Sequence, residues 1–408
     1  MGITVEHGCP QCGAPIELDE LDHLLRCPYC NVKSFLFTPG YSRLVLPHKA
    51  PDKEIIHVPY LRFKGNVYFC KDKTVGYRFI DITRPGIPLK AIPPSLGVRP
   101  QAMKMRFVTP DTRGSFLRFS LKATDILTDA GRLAGDLASG RILHRAYIGE
   151  TLSLIYLPLY VKQNRIVDAV LNRPVVVLPD DQDIFQQTTG SRSRWGPRFM
   201  ATLCPQCGWS LEGERDSVVL ICSNCDTVWQ ASKGRFTEVK YSVIEGRKAD
   251  TTYLPFWSIL ADTRGVEINS YADFLRVTNQ PAVIQSDWES REMRFWSPAF
   301  KIRPKIFLRL SRQLTCLSRH AGAEGGLAKK NLYPVTLPQA EAVQSMKLTL
   351  ASSAIAKEDV FPFLPRIRFT VKDSTLVYLP FTDTGHDMVQ QDTLISINKN
   401  ALAFGRGL

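Results

Sequence analysis

The amino-acid sequence predicts a β-rich α+β protein made of two tandem pseudo-repeats, each a Cys₄ zinc ribbon followed by a β-hairpin domain with one helix. Three observations support this fold class. Eight of the ten cysteines form two arrays with identical spacing. Short motifs that follow the first array recur in the same order after the second. The remaining chain consists of short aromatic and β-branched segments divided by 27 prolines, which is typical of strands and turns.

Each cysteine array contains two Cys-x-x-Cys pairs with fourteen residues between them. The two-residue spacing lets a tight turn direct both sulfur atoms to one point, and the hairpin between the pairs completes a tetrahedron. Gly13 and Gly208 follow the first pairs, and Asn31 and Asp226 follow the second pairs, where a residue that tolerates positive φ is often needed. The candidate metal ligands are Cys9, Cys12, Cys27, Cys30, Cys204, Cys207, Cys222 and Cys225.

Four thiolates fill every position of a tetrahedral ion and leave none for water or substrate. The arrays therefore predict two structural Zn²⁺ ions rather than a catalytic metal. Iron also suits a Cys₄ tetrahedron, and disulfides are a further alternative, although clustered cysteines favour metal in a reducing compartment. Cys70 and Cys316 lie outside the arrays, without a neighbouring activating base, and are interpreted as small buried side chains.

The first array repeats at an offset of 195 residues, and further matches follow it. The matched segments are 58–63 with 254–257, 105–110 with 293–298, 116–120 with 307–311, and 155–160 with 377–381. Four matches in one order indicate an internal duplication.

Hydrophobic periodicity predicts one helix in each repeat, over residues 125–139 and 339–350. The matched segments other than 105–110 and 293–298 are predicted to be strands. The predicted organisation is zinc ribbon 1 over 1–38, β-rich domain 1 over 39–185, a polar linker over 186–200, zinc ribbon 2 over 201–236, and β-rich domain 2 over 237–408.

Positive charge concentrates outside the ribbons. Both ribbons are acidic, whereas residues 99–122 carry a net charge of +5 and residues 291–319 one of +7. In strands, alternate residues of these segments would form a basic sheet face that can bind an anionic partner. A solvated outer face is the other interpretation. The candidate anion-binding residues are Arg106, Arg118, Lys122, Arg294, Lys305, Arg309 and Arg312.

The chain carries no P-loop, Gly-x-Gly-x-x-Gly, His-Glu-x-x-His or Gly-x-Ser-x-Gly motif. The sequence therefore predicts a non-catalytic scaffold or adaptor that acts through protein partners. The formal net charge of +13 keeps nucleic-acid binding as the alternative, and an enzyme whose site assembles only in three dimensions is the third. No apolar stretch reaches the roughly 20 residues that span a bilayer and no signal peptide is evident, so we expect a cytoplasmic protein without an integral membrane segment.

The combination of Cys-Pro-x-Cys-Gly, a second Cys-x-x-Cys and a downstream Tyr-Leu-Pro-Phe-Trp strand is clearest at residues 204–225 and 253–257. It resembles bacterial zinc-ribbon proteins with a transcription-factor-IIB-type ribbon, often labelled primosomal-helicase-like. The resemblance covers each ribbon and the strand after it, and implies zinc binding by the eight cysteines named above. The helicase label also implies a nucleotide-binding motor, for which this chain has no P-loop.

Overall fold

The computed structural model describes residues 2–50, 53–89, 92–120, 141–177, 188, 195–232, 234–248, 250–317, 326–327 and 331–407. Strands predominate over helices in this part of the chain, which confirms the predicted β-rich α+β class. The predicted helix over 125–139, the candidate residue Lys122 and most of the predicted linker lie outside the described residues. No described helix is long and apolar enough to cross a membrane.

The first twelve described strands build ribbon 1 and a ten-stranded sheet. They are β1 Thr4–Gly8, β2 Pro15–Asp19, β3 Leu24–Arg26, β4 Lys33–Phe37, β5 Ser42–Val45, β6 Ile56–Lys71, β7 Thr74–Pro85, β8 Lys104–Phe107, β9 Ser115–Phe116, β10 Ile142–Lys162, β11 Arg165–Asp168 and β12 Arg173–Val177.

The later strands build ribbon 2 and a seven-stranded sheet. They are β13 Arg198–Ala201, β14 Val219–Cys222, β15 Thr227–Ser232, β16 Arg235–Glu238, β17 Tyr241–Val243, β18 Thr251–Arg264, β19 Arg294–Pro298, β20 Asn331–Leu332, β21 Arg368–Asp383, β22 Asp387–Gln390 and β23 Ile395–Asn398. The helices are α1 Tyr271–Thr278, α2 Pro304–Leu317, α3 Gln339–Ser353, α4 Lys357–Val360 and α5 Lys399–Gly405, and the 3₁₀ turns are Pro100–Ala102, Ser286–Glu289 and Phe361–Phe363.

A long antiparallel strand pair forms the centre of each sheet. β6 pairs with β10 in the first sheet, and β18 pairs with β21 in the second. These strands are rich in aromatic and branched residues, which suit a pleated, buried surface. The tip of the first pair reaches the second sheet, because Tyr68, Cys70 and Ile148 belong to the same hydrophobic cluster as Trp257 and Tyr378. The two β-rich regions therefore share a core, while the predicted domain limits stay a prediction.

Polar residues interrupt the buried face of β6. Three buried polar residues occupy alternate positions of β6 and therefore share one face of the strand: Arg62, Lys64 and Asn66. Arg62 forms a bidentate pair with Asp81 of β7, at 2.9 and 3.0 Å, and also binds Glu20 of ribbon 1. The Lys64 ammonium lies 3.5 Å from Glu20. This ion cluster satisfies the buried charges and joins ribbon 1 to the sheet.

The two ribbons pack against each other. β13, which leads into ribbon 2, pairs antiparallel with β4 of ribbon 1. The backbone N–H groups of His23 and Leu24 donate to the carbonyl of Arg215 at 2.7 and 2.8 Å. A small hydrophobic cluster contains residues from both ribbons, namely Leu24, Phe35, Cys204, Leu211, Leu220, Cys222 and Trp229. The ribbons therefore form one unit, which the sequence analysis did not predict.

The helical content of the second half differs from the sequence prediction. The predicted helix at 339–350 is confirmed as α3, but the described residues of this half contain five α-helices rather than one. The predicted strand at 307–311 lies inside α2, where Phe307, Leu310 and Leu314 are buried at helical spacing. The prediction was wrong because a segment of five residues fits the apolar spacing of a strand as well as that of a helix. Pro304, in the first turn of α2, is a residue that favours the start of a helix.

Candidate metal centres

The four sulfur atoms of each array converge on one point. Within each group all sulfurs lie within 4.8 Å of one another. In ribbon 1 the distances Cys9–Cys30 and Cys12–Cys27 are both 3.8 Å. The corresponding distances in ribbon 2 are 3.6 Å and 3.5 Å. A tetrahedron with metal–sulfur bonds of about 2.3 Å has edges of about 3.8 Å, so both groups fit a Zn²⁺ ion.

Residues with positive φ shape the turns around the cysteines. Gly13 and Gly208 have φ values of 74° and 75°, and Asn31 and Asp226 have values of 59° and 57°. Three of these residues donate a backbone N–H to the carbonyl of the first cysteine of their pair, at 2.9 to 3.0 Å. The predicted turn chemistry is confirmed, because these turns direct both sulfurs of each pair to the same point.

Backbone dipoles favour thiolate in both sites. The N–H groups of Cys12 and Gln11 lower the pKa of the Cys9 thiol to about 6. At Cys204 burial raises the pKa of the thiol. The N–H of Cys207 and neighbouring donors outweigh burial and lower this pKa to about 6. Since the thiolate is the form that binds metal, these backbone N–H groups favour metal binding at Cys9 and Cys204, whereas the pKa of Cys30 and of Cys225 is raised to about 12.

Ribbon 2 has an additional hydrogen-bond chain to its sulfurs. The indole N–H of Trp229 donates to Thr227 Oγ1 at 2.8 Å, which leaves the Thr227 hydroxyl to donate to Cys225 Sγ at 3.1 Å. Such donors orient metal ligands and tune their basicity. Val32 stands at the matching position after Cys30, so ribbon 1 lacks this donor. The cysteine spacing alone does not identify Thr227, although a Thr two residues after the last ligand is a signal that the sequence contains.

Comparisons with known proteins returned no match, whether with family models, curated proteins or solved structures. The resemblance to transcription-factor-IIB-type ribbon proteins therefore stays a prediction. The metal sites depend only on the geometry of this chain.

The candidate anion-binding residues do not form two basic sheet faces. Arg106 lies in β8 and is exposed, with Glu6 at 3.6 Å. Arg118 follows the two-residue strand β9 and is exposed, whereas Arg294 of β19 is mostly buried against Asp373 at 2.7 Å. The predicted strand face that contained Lys305 and Arg309 is wrong, because both residues lie on α2, as does the candidate Arg312. These three residues lie on one helix. They are exposed at i, i+4 and i+7 and so share one helix face.

Cys70 is fully buried in β6, and burial raises the pKa of its thiol to about 12. This confirms the interpretation of Cys70 as a small core side chain. We expect iodoacetamide to leave Cys70 unmodified in the native metal-loaded protein and to modify it after denaturation, since only exposed thiolate reacts. Peptide mass spectrometry measures both states. Modification of native Cys70 as fast as the partly buried Cys316 would contradict this assignment.

Proposed function

We propose that this protein is a zinc-binding, non-catalytic scaffold that acts through protein–protein contacts in the cytoplasm. The observation that carries the proposal is the closure of both metal sites, in which four sulfurs surround each ion position. Closed Cys₄ sites stabilise folds and leave no coordination position for substrate. The ten free cysteines agree with a reducing compartment.

The acidic groups of the ribbons support a structural role because they bind within the molecule. Asp22 of ribbon 1 forms an ion pair with Arg215 of ribbon 2. Asp216 accepts a bidentate contact from Arg406 near the C-terminus, at 2.9 and 2.5 Å. These pairs join each ribbon to another part of the chain, so the ribbons serve as a framework between the two sheets.

Exposed apolar side chains around the cysteine turns support a protein partner. Leu203 and Trp209, on either side of the first turn of ribbon 2, are each 56% exposed, and Tyr29 of ribbon 1 is 64% exposed. The Cys204 N–H donates to the Trp209 carbonyl, and Leu203 forms an isolated β-bridge with Ser210, so Leu203 and Trp209 flank the same turn. Apolar groups exposed together on a rigid framework are typical of protein-binding surfaces.

We also infer that the two halves arose by duplication, which the strand registers support. Pro59 of β6 pairs with Tyr156 of β10, and Pro255 of β18 pairs with Tyr378 of β21. A short parallel strand flanks the second strand of each pair, β5 beside β10 and β17 beside β21. The halves differ elsewhere, since β19 pairs with β18 whereas its sequence counterpart β8 pairs with β5 and β1.

Affinity purification of the tagged protein from its own cells tests the scaffold role. We expect a protein partner to be retained after nuclease treatment, and the double variant Leu203→Ser/Trp209→Ser to lose most of it. Val283→Ser is the matched control, because Val283 is 89% exposed but lies far from the ribbons in sequence. Equal recovery by the double variant and the control would contradict the proposed surface, and turnover of a substrate would contradict the scaffold role itself.

Nucleic-acid binding is the second candidate, and the basic face of α2 favours it. If Lys305, Arg309 and Arg312 each contact a phosphate, the logarithm of affinity should fall with the logarithm of salt concentration with a slope of about −2 to −3. Arg312→Ala should then reduce that slope by about 1. Fluorescence polarisation with labelled DNA and RNA between 50 and 200 mM salt measures the slope. The scaffold proposal predicts no saturable binding.

A further inference from the structure

A cavity of about 340 Å³ lies where both ribbons, strand β10 and helix α3 meet. Six charged side chains line it, and they come from six different parts of the fold: Glu20, Glu150, Asp216, Lys301, Glu341 and Arg406. Four are carboxylates and two are cations, in a protein whose formal net charge is +13. The four carboxylates come from ribbon 1, β10, ribbon 2 and α3 and line one cavity.

A β-bulge positions Glu150 at the cavity. The register of β10 against β6 shifts between Ile148 and Thr151, and Gly149 has a φ of 72°. Gly65 of β6 faces the bulge so closely that an added Cβ would lie 2.8 Å from the Glu150 Cα. The N–H of Gly149 donates to Glu341 Oε2 at 2.5 Å. The bulge therefore sets Glu150 and Glu341 side by side.

Two of the four carboxylates already have cationic partners. Glu20 binds Arg62 and Lys64, and Asp216 binds Arg406. Glu150 and Glu341 remain, with the single ammonium of Lys301 close enough to act on both. Within the described part of the chain, Glu150 Oε2 is buried and accepts no hydrogen bond. A buried acceptor without a donor is costly, so this atom marks an unfilled binding position.

The remaining wall of the cavity contains both apolar and neutral polar side chains. Phe35 and Phe37 of ribbon 1, Leu152 of β10 and Val218 of ribbon 2 lie around the charged groups. Small-molecule sites typically combine such walls with a few convergent polar groups, and volumes from about 300 Å³ suit them. A ligand that fits both the apolar side chains and the carboxylates of this cavity has an apolar body and a cationic group with N–H donors.

We propose that this cavity binds an alkylammonium or alkylguanidinium group, with Glu150 and Glu341 as the carboxylates that recognise it. The group can belong to a free amine or guanidine metabolite, or to a lysine or arginine side chain of a partner protein. The site goes beyond the scaffold role and does not depend on the exposed ribbon surface. If experiments disprove either the scaffold role or ligand binding in the cavity, the other proposal can still be tested.

Isothermal titration calorimetry of the full zinc-loaded chain at pH 8 tests the proposal. The probes are n-butylguanidinium and n-butylammonium, with pentanoate and n-pentanol as anionic and neutral controls of similar size. We expect saturable one-to-one binding of a cationic probe only. The tripeptide acetyl-Ala-Arg-Ala-amide distinguishes the sources: tighter binding than n-butylguanidinium indicates a partner side chain, and weaker binding indicates a free ligand.

Charge-neutralising variants locate the binding position. Glu150→Gln and Glu341→Gln should each weaken cation binding at least tenfold, whereas Glu212→Gln, at an exposed acid of ribbon 2, should not. Glu150→Gln removes a buried charge and is expected to retain the fold, which thermal melting verifies. The proposal is overturned if neither cationic probe binds, if pentanoate or pentanol binds equally, or if Glu150→Gln keeps the affinity of the unmodified protein.

The affinity should also depend on pH in a defined direction. Burial, with the charge of Glu341, raises the pKa of Glu150 to about 7, and Lys301 only partly opposes this. Because the cation requires the carboxylate form, which is gained as pH rises through 7, binding should strengthen about tenfold between pH 6 and pH 8. Glu212→Gln should show the same dependence and Glu150→Gln should lose it. Affinity that stays constant over this range in the unmodified protein contradicts the role of Glu150.

Discussion

Replacing Cys222 with serine is expected to unfold both ribbons, not only the one that loses a ligand. Cys222 is fully buried and belongs to the hydrophobic cluster that also contains Leu24 and Phe35 of ribbon 1. Zinc binding contributes about 10–16 kcal/mol of apparent free energy in small comparable modules. This is as large as the whole unfolding free energy of a typical domain, about 5–15 kcal/mol, so ribbon 2 cannot hold its half of the cluster without the ion.

Two measurements check this prediction. Elemental analysis should find about two zinc ions per unmodified chain, as two closed Cys₄ sites require, and at most about one in the Cys222→Ser variant. Hydrogen exchange should show lost protection in β4 and β3 as well as in ribbon 2. Cys316→Ser is the control, because Cys316 lies outside both metal groups. Full protection of β4 in the Cys222→Ser variant would show that the ribbons are independent.

Replacing Arg62 with methionine should have the second largest effect, a loss of about 3–5 kcal/mol in the free energy of unfolding. The Arg62 and Glu20 side chains are 1% and 4% exposed. Methionine fills much of the space of arginine but leaves the Glu20 carboxylate buried, with Lys64 at 3.5 Å as its remaining ion pair among the described residues. An uncompensated buried charge is costly, whereas a buried pair replaced as a whole is often tolerated.

Denaturant unfolding of three variants separates these effects. The double variant Arg62→Met/Glu20→Gln should recover much of the loss, because the orphaned charge is removed. Arg106→Met is the matched control, since the Arg106 side chain is 79% exposed and its contact with Glu6 is a surface pair of little value. If Arg62→Met were as stable as Arg106→Met, the buried ion cluster would have no role in stability.

The metal ligands could be predicted from sequence because their geometry is local. Two residues separate Cys204 from Cys207, and the turn they form ends at a residue with positive φ, Gly208, so spacing and turn chemistry together identify the site. The β-rich class follows from similar short-range patterns, and α3 from its helical periodicity. The strand prediction at 307–311 failed because the segment was read without the residues that extend its apolar spacing to Leu314.

The ion cluster and the cavity could not be predicted, because their members meet only after folding. Arg62 binds Glu20 of another element, and Glu150 faces Glu341 from a different half of the chain. In sequence, Arg62 and Lys64 look like the solvated face of an amphipathic strand. Nothing local shows that this face of β6 is covered. A β-bulge such as that at Gly149 likewise depends on the partner strand.

The pairing of β4 with β13 also has a consequence for biosynthesis. Phe37 pairs with Arg198, which leaves the ribosome roughly 160 residues later. At about 5–20 residues per second, ribbon 1 waits on the order of ten seconds for its partner strand. During that interval Leu24 and Phe35, which the finished cluster covers, remain unshielded on the nascent chain. A chaperone at this stage would protect the chain until ribbon 2 emerges.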